Sequence, residues 1–168
     1  MIMSSIQIIA KQFALHTKLF NNVLENVEES QGSKRMSEEV NHLQWIAGHL
    51  ANSRYSIASM LGIDLPFPYK EIYTDFTAPP PFNRHIDASI EYPSLLEIKK
   101  LWNDLSDELV EKLSNMNEAT LSAASPFAVP TGNTLLDMFS FISSHESYHI
   151  GQMSIIRKYI GLSAMSYK

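Results

Sequence analysis

The segment His145-Glu146-Ser147-Tyr148-His149-Ile150-Gly151-Gln152 holds the residues best suited to chemistry. Two imidazoles stand at i and i+4, so on a helix they project the same way and can hold one metal ion between them. The surrounding pattern is helical. Leu135, Met138, Ile142, His145, His149, Gln152, Ile156 and Tyr159 recur at three- and four-residue spacing, one face of a helix from about Leu135 to Ile160. Three consecutive positions of that core-facing stripe are polar. A buried polar group without a partner costs roughly 1–3 kcal/mol, so three together need a shared reason, and a metal ion supplies one.

The stretch His145-Glu146-Ser147-Tyr148-His149 also matches the H-E-x-x-H pattern of zinc proteases. Those enzymes take a third ligand downstream, yet residues 150–168 contain no His, Asp or Glu. Gln152 and Ile155 stand where the extended pattern needs Gly and His. No strand for binding a peptide is apparent, and the protease reading is set aside. The third ligand is expected upstream, at His49. It shares the apolar face of Trp45 and Ile46 on another helix. Gly48 beside it costs a helix roughly 1 kcal/mol against alanine, a cost that close approach of another helix or a ligand would explain. Three neutral imidazoles leave coordination positions open, the mark of a catalytic site. The alternative is three independent core histidines.

The remaining polar residues have lesser expected roles. Glu146 lies about 100° around the helix from its neighbour; it could bond an imidazole from behind or be structural or solvated. Gln152, one turn beyond His149, could bond a ligand or a backbone group. Gly151 is expected to permit close helix approach. His16 reads as a core histidine bonded to a neighbouring side chain ahead of a metal ligand, because buried polar groups usually find ordinary partners. His42 lies two turns, about 11 Å, from His49, too far to share an ion, and reads as a surface or supporting residue. His85 reads as a surface histidine.

Four long amphipathic segments would position these groups. The first runs from about Ser5 to Glu29 on the stripe Ile6, Ile9, Phe13, His16, Phe20, Val23, Val27. The second runs from about Ser37, a candidate N-cap, to Leu61, with Gly62 as its stop. The third opens at the capping box Ser94-Leu95-Leu96-Glu97 and runs to Met116. Its stripe of Ile98, Trp102, Leu105, Leu109 and Leu113 is apolar throughout, and no chemistry is read on it. The fourth follows Thr134 and closes at Gly161. Residues 62–93 hold six prolines and the aromatics Phe67, Tyr69, Tyr73, Phe76 and Phe82. That is a long crossover, expected to pack down on the helices and able to roof a site. Residues 117–132 form a second connection. No strand-like alternation is seen, so the expected fold is an all-α four-helix bundle in one domain, 1–168.

Composition narrows the function. The chain of 168 residues is 45% hydrophobic and 18% charged, with a net charge of −5, so a basic nucleic-acid surface is disfavoured. It has no cysteine, hence no disulfide framework and no thiolate metal site. Any thiol chemistry would use a thiol from outside. The N-terminal residues do not read as a signal peptide, no apolar run is long enough to span a membrane, and a cytoplasmic location is expected.

The segments Trp45-Ile46-Ala47-Gly48-His49-Leu50 and His145-Glu146-Ser147-Tyr148-His149-Ile150-Gly151-Gln152 together resemble the DinB/YfiT-like superfamily of metal-dependent proteins. The resemblance covers nearly the whole chain. It implies an up-down-down-up bundle, often a homodimer, with one divalent ion on His49, His145 and His149. Nickel or zinc is expected ahead of iron or manganese. Characterised relatives include enzymes that join a low-molecular-weight thiol to an electrophile, which makes a small-thiol-dependent S-transferase the leading expectation and a metal-dependent hydrolase its variant. The other reading is a non-enzymatic dimeric metal-binding or stress-response module. No residue is a convincing general base.

Overall fold

A computed structural model describes residues 3–74 and 85–167. Among the described residues the chain is mainly helical, with one small hairpin. Four long helices dominate: α1 (Ser5–Val23), α3 (Leu43–Met60), α5 (Leu95–Ser114) and α7 (Leu135–Tyr159). The short helices α2 (Glu29–Gly32), α4 (Lys70–Tyr73) and α6 (Glu118–Leu121) lie in the connections. Helix α1 packs on α5 and α7, and α3 packs on the same two partners. The core between them is built on Phe13, Phe20, Ile46, Leu50, Ile98, Trp102, Leu105 and Phe139.

The third and fourth segments begin where their sequences place them. Ser94 accepts from the Glu97 amide, and Thr134 accepts from the Asp137 amide at 3.2 Å. Both form reciprocal capping boxes that satisfy otherwise orphaned N–H groups. Gly62 (φ 74°) and Gly161 (φ 92°) follow the ends of α3 and α7 in the left-handed region that glycine tolerates.

Three expectations need correction. The first long helix stops at Val23, not near Glu29. Asn26 turns the chain at φ 58°, and the Arg157 guanidinium takes the carbonyls of Val23 and Glu25 from outside. The second starts at Leu43 rather than Ser37. Arg35 binds the backbone oxygens of Val40 and Glu38, which fixes that segment as a turn. The N-cap is His42, whose Nδ1 accepts from the Trp45 amide at 3.1 Å. This residue is buried, not on the surface. Finally, the connection before α7 does contain strands: β1 (Ala124–Val129) pairs antiparallel with β2 (Gly132–Thr134). Its register is irregular and its outer residues are exposed, so no apolar alternation marked it.

In the crossover, Phe67 and Tyr73 are buried and Tyr69 packs against the core, as the aromatic content suggested. Phe76, Pro79, Pro80, Pro81 and Phe82 lie outside the described residues. His85 is exposed, as expected. None of the described helices is long and apolar enough to cross a membrane.

Candidate metal centre

Helix α7 places His145 and His149 one turn apart, and α3 brings His49 to meet them. Each offers a ring nitrogen within 4.8 Å of the other two. His145 Nε2 lies 3.0 Å from His49 Nε2 and 3.1 Å from His149 Nε2. His49 is buried, while His145 and His149 are half-buried. Burial depresses the pKa of all three. His49 is pushed well below its ordinary value by burial and then by its two neighbours. For His145 the same causes, burial and then His149, bring it to about 4. His149 is lowered by burial despite its bond to Gln152.

These rings are therefore neutral near pH 7, and their contacts test whether a metal ion fits. A ring nitrogen carries either one hydrogen or one in-plane lone pair. His145 Nε2 faces two other Nε2 atoms, and neither state serves both. A cation between them would accept all three lone pairs. Nitrogens about 3 Å apart are also what ligands at about 2.0–2.1 Å from one ion produce.

Surrounding groups hold the rings in place. Gln152 Oε1 accepts from His149 Nδ1 at 2.7 Å, which leaves the His149 Nε2 lone pair facing its neighbours. Gln152 Nε2 in turn donates to the Tyr148 hydroxyl at 3.0 Å. Trp45 stacks on His49, with ring centroids 5.0 Å apart and 12° between planes. His49 Nδ1 and His145 Nδ1 are buried without a hydrogen-bond partner among the described residues. The glycine beside His49 has the expected use. A Cβ on Gly48 would overlap the Tyr73 hydroxyl, so the glycine admits an aromatic from the crossover. Gly151 has no such use, since a Cβ there would meet nothing within 4 Å.

The buried face of α7 shares Met138, Ile142 and Ile156 with the predicted stripe and departs from it elsewhere. Met138, Ile142, Glu146, Ile150, Met153, Ile156 and Arg157 are buried, whereas Tyr159 is exposed and the two histidines sit on the shoulder. The polar residue at the centre of this face is Glu146, fully buried. Its carboxylate accepts from Arg54 Nε at 2.6 Å and Arg54 Nη2 at 2.9 Å, and from His16 Nδ1 at 2.9 Å. Burial alone would raise the Glu146 pKa, but Arg54 and then His16 hold it below the usual carboxylate value. So the imidazole that binds Glu146 is His16, in the core role expected of it, and the carboxylate is neither solvated nor hydrogen-bonded to the three-histidine cluster.

Arg54 is the residue that the sequence reading missed. It is wholly buried, its guanidinium 3.5 Å from the centre of the Trp102 ring. It also donates to Thr17 Oγ1, Ser106 Oγ and the Phe13 carbonyl. The available signal was a lone cation inside Ala51-Asn52-Ser53-Arg54-Tyr55-Ser56-Ile57-Ala58. Ser106 also shows that α5, read as having no chemistry, contributes one polar contact to this network.

The sequence profile of the DinB superfamily matches residues 12–153, a span that contains all three histidines, Arg54 and Glu146. No curated protein matches the chain significantly.

Proposed function

The chain belongs to the DinB superfamily, and from that premise we propose that it is a divalent-metal-dependent enzyme joining a small thiol to an electrophile. His49, His145 and His149 are the proposed ligands. The observation that carries the reading is the convergence of three neutral Nε2 atoms on one point, with no hydrogen-bonding arrangement that satisfies them all. A bound divalent ion, nickel or zinc before iron or manganese, would supply Lewis acidity that keeps a thiol with an ordinary pKa of about 8.5 in its reactive thiolate form.

The chain's own residues do the positioning. Gln152 fixes the tautomer of His149, Trp45 fixes the plane of His49, and the half-buried side of His145 and His149 leaves an approach for the thiol. Glu146 is paired with Arg54 and His16 in the core, so it serves neither reaction as a base. The ion would activate a bound thiol or a bound water alike, and the hydrolase stays the variant of this reading. The same reading takes the four long helices as an up-down-down-up bundle and the working unit as a homodimer in the cytoplasm.

Metal content by mass spectrometry tests the centre. About one ion per chain is expected, lost in both His49→Ala and His145→Ala. Thiol titration of cobalt-substituted protein tests the enzyme reading. A shift in the cobalt absorption on adding a small thiol supports it. An unchanged spectrum would leave a metal-binding module with no thiol chemistry.

A further inference from the structure

The other side of α7 carries a second arrangement, independent of the three-histidine centre. Ser147 Oγ lies 2.8 Å from His16 Nε2. His16 Nδ1 lies 2.9 Å from Glu146 Oε2. Glu146 accepts only, so His16 Nδ1 carries the hydrogen. Its Nε2 then has a free lone pair and accepts from the Ser147 hydroxyl. Arg54 pins the carboxylate through both oxygens, so the tautomer is set by buried groups. His16 itself is 4% exposed, whereas Ser147 is exposed. Both line a cavity of about 390 Å³ whose walls include Leu15, Leu19 and Ile150. Gly151, one turn beyond Ser147, lines the same cavity.

We propose that Ser147, His16 and Glu146 form a nucleophilic site that hydrolyses short acyl esters without the metal. Serine, a base behind it and a carboxylate behind the base, each within hydrogen-bond reach, are the arrangement that activates a hydroxyl. Ser147 Oγ bonds to the ester carbonyl carbon while its proton passes to His16 Nε2. The carbon–oxygen bond to the leaving group breaks, and His16 returns the proton to the departing alkoxide. Water then attacks the acyl-serine, giving one proton to His16. That proton goes back to Ser147 Oγ as the carboxylic acid leaves. Ser147 and His16 are the catalytic residues; Glu146 and Arg54 are positioning residues.

The expected rate is modest. Amides around Ser147 belong to the helix ladder of α7, so that helix offers no pair of free backbone N–H groups to the oxyanion. Lacking one such donor costs about 10²–10³ in turnover. The lining is mixed, with Leu15, Leu19 and Ile150 alongside Ser154 and Lys158, and its apolar part suits a short acyl chain.

The test treats the full chain with a fluorophosphonate and locates the adduct by peptide mass spectrometry, with p-nitrophenyl acetate hydrolysis followed alongside. Phosphonylation of Ser147, with loss of fluoride, is expected about 100-fold faster than at Ser144 or Ser154 on the same helix. That selectivity decides the matter in the unaltered chain. Ser147→Ala should remove the adduct and the catalysed ester hydrolysis while the chain stays folded, its melting temperature lowered only by the lost bond to His16. Folded His16→Gln should label about 100-fold more slowly. Chelator should leave labelling unchanged. No preference for Ser147, labelling indifferent to His16, or labelling lost with chelator would each overturn the proposal.

Discussion

Two sides of α7 carry polar clusters in opposite states. Around Glu146, the charged groups and His16 all have partners, and Trp102 Nε1 beside Arg54 has none among the described residues. Arg54 makes five hydrogen bonds, to Glu146, Thr17, Ser106 and the Phe13 carbonyl, and Glu146 accepts from two residues. Around His145, three nitrogens face one another without a satisfactory proton assignment, and three further ring nitrogens, His49 Nδ1, His145 Nδ1 and Trp45 Nε1, have no partner among the described residues. The contrast is instructive because both clusters join α7 to α3. The saturated cluster fixes the helices around it and meets the outside only at the exposed Ser147 hydroxyl. An unsaturated one has its affinity left over for something outside the chain.

The largest expected effect is on the saturated side. Glu146→Ala leaves Arg54 charged, buried and unpaired, which should cost about 3–5 kcal/mol by urea denaturation. A loss under about 1 kcal/mol would mean that the network is more solvated than its geometry implies. Acid should sharpen the comparison next. His42 is lowered from 6.5 to about 4 by burial and then by Arg35, and His145 falls to about 4 as well. A histidine with a depressed native pKa contributes stability that is complete above about pH 6.5 and is lost as pH falls toward 4. Metal-free protein should therefore weaken across that window, at about 1.4 kcal/mol per pH unit for each such group. A flat melting temperature between pH 6.5 and 4.5 would contradict the neutral assignment.

Metal supplies the third test. At a concentration 100 times its Kd, an ion should stabilise the native chain by about 2.7 kcal/mol. His145→Ala should abolish that increment, while Glu146→Ala, once folded, should keep most of it. Loss of the increment in both variants would merge the two clusters into one functional unit. Gln152→Ala should be milder, weakening metal affinity about 10–100-fold, as loss of a bond behind a ligand does. Competition against a chromophoric chelator measures it, and unchanged affinity would remove Gln152 from the centre. The smallest effect belongs to Gly151→Ala. With open space around that position, a stability gain of up to about 1 kcal/mol is expected from helix propensity alone. A loss would show that the glycine is required by a contact outside the single chain.

Much of this was legible from residue types and spacing. Capping boxes at Ser94 and Thr134 and the stops at Gly62 and Gly161 are local events, decided by hydrogen bonds within a few residues, and the helix ends follow them. The pairing of His145 with His149 follows from i, i+4 geometry. Choosing His49 as the third member needed only its place on an apolar face beside a glycine. Helix starts set from a distance were not legible. Ser37 has the chemistry of an N-cap, but Arg35 diverts the backbone around it and hands the role to His42.

The face that α7 buries was decided only by the tertiary structure. Periodicity identifies an apolar stripe but cannot fix its rotation to better than a residue or so. Here the rotation is set by Arg54, which reaches across from α3 and needs a counter-charge inside the core. Helical spacing alone therefore specified the metal-site candidates on α7. Which carboxylate sits in the core, and which imidazole it holds, depended on groups separated by 92 and 130 positions in sequence. No local pattern records such partners, because the energy that selects them comes from desolvating a charge that only the folded chain surrounds.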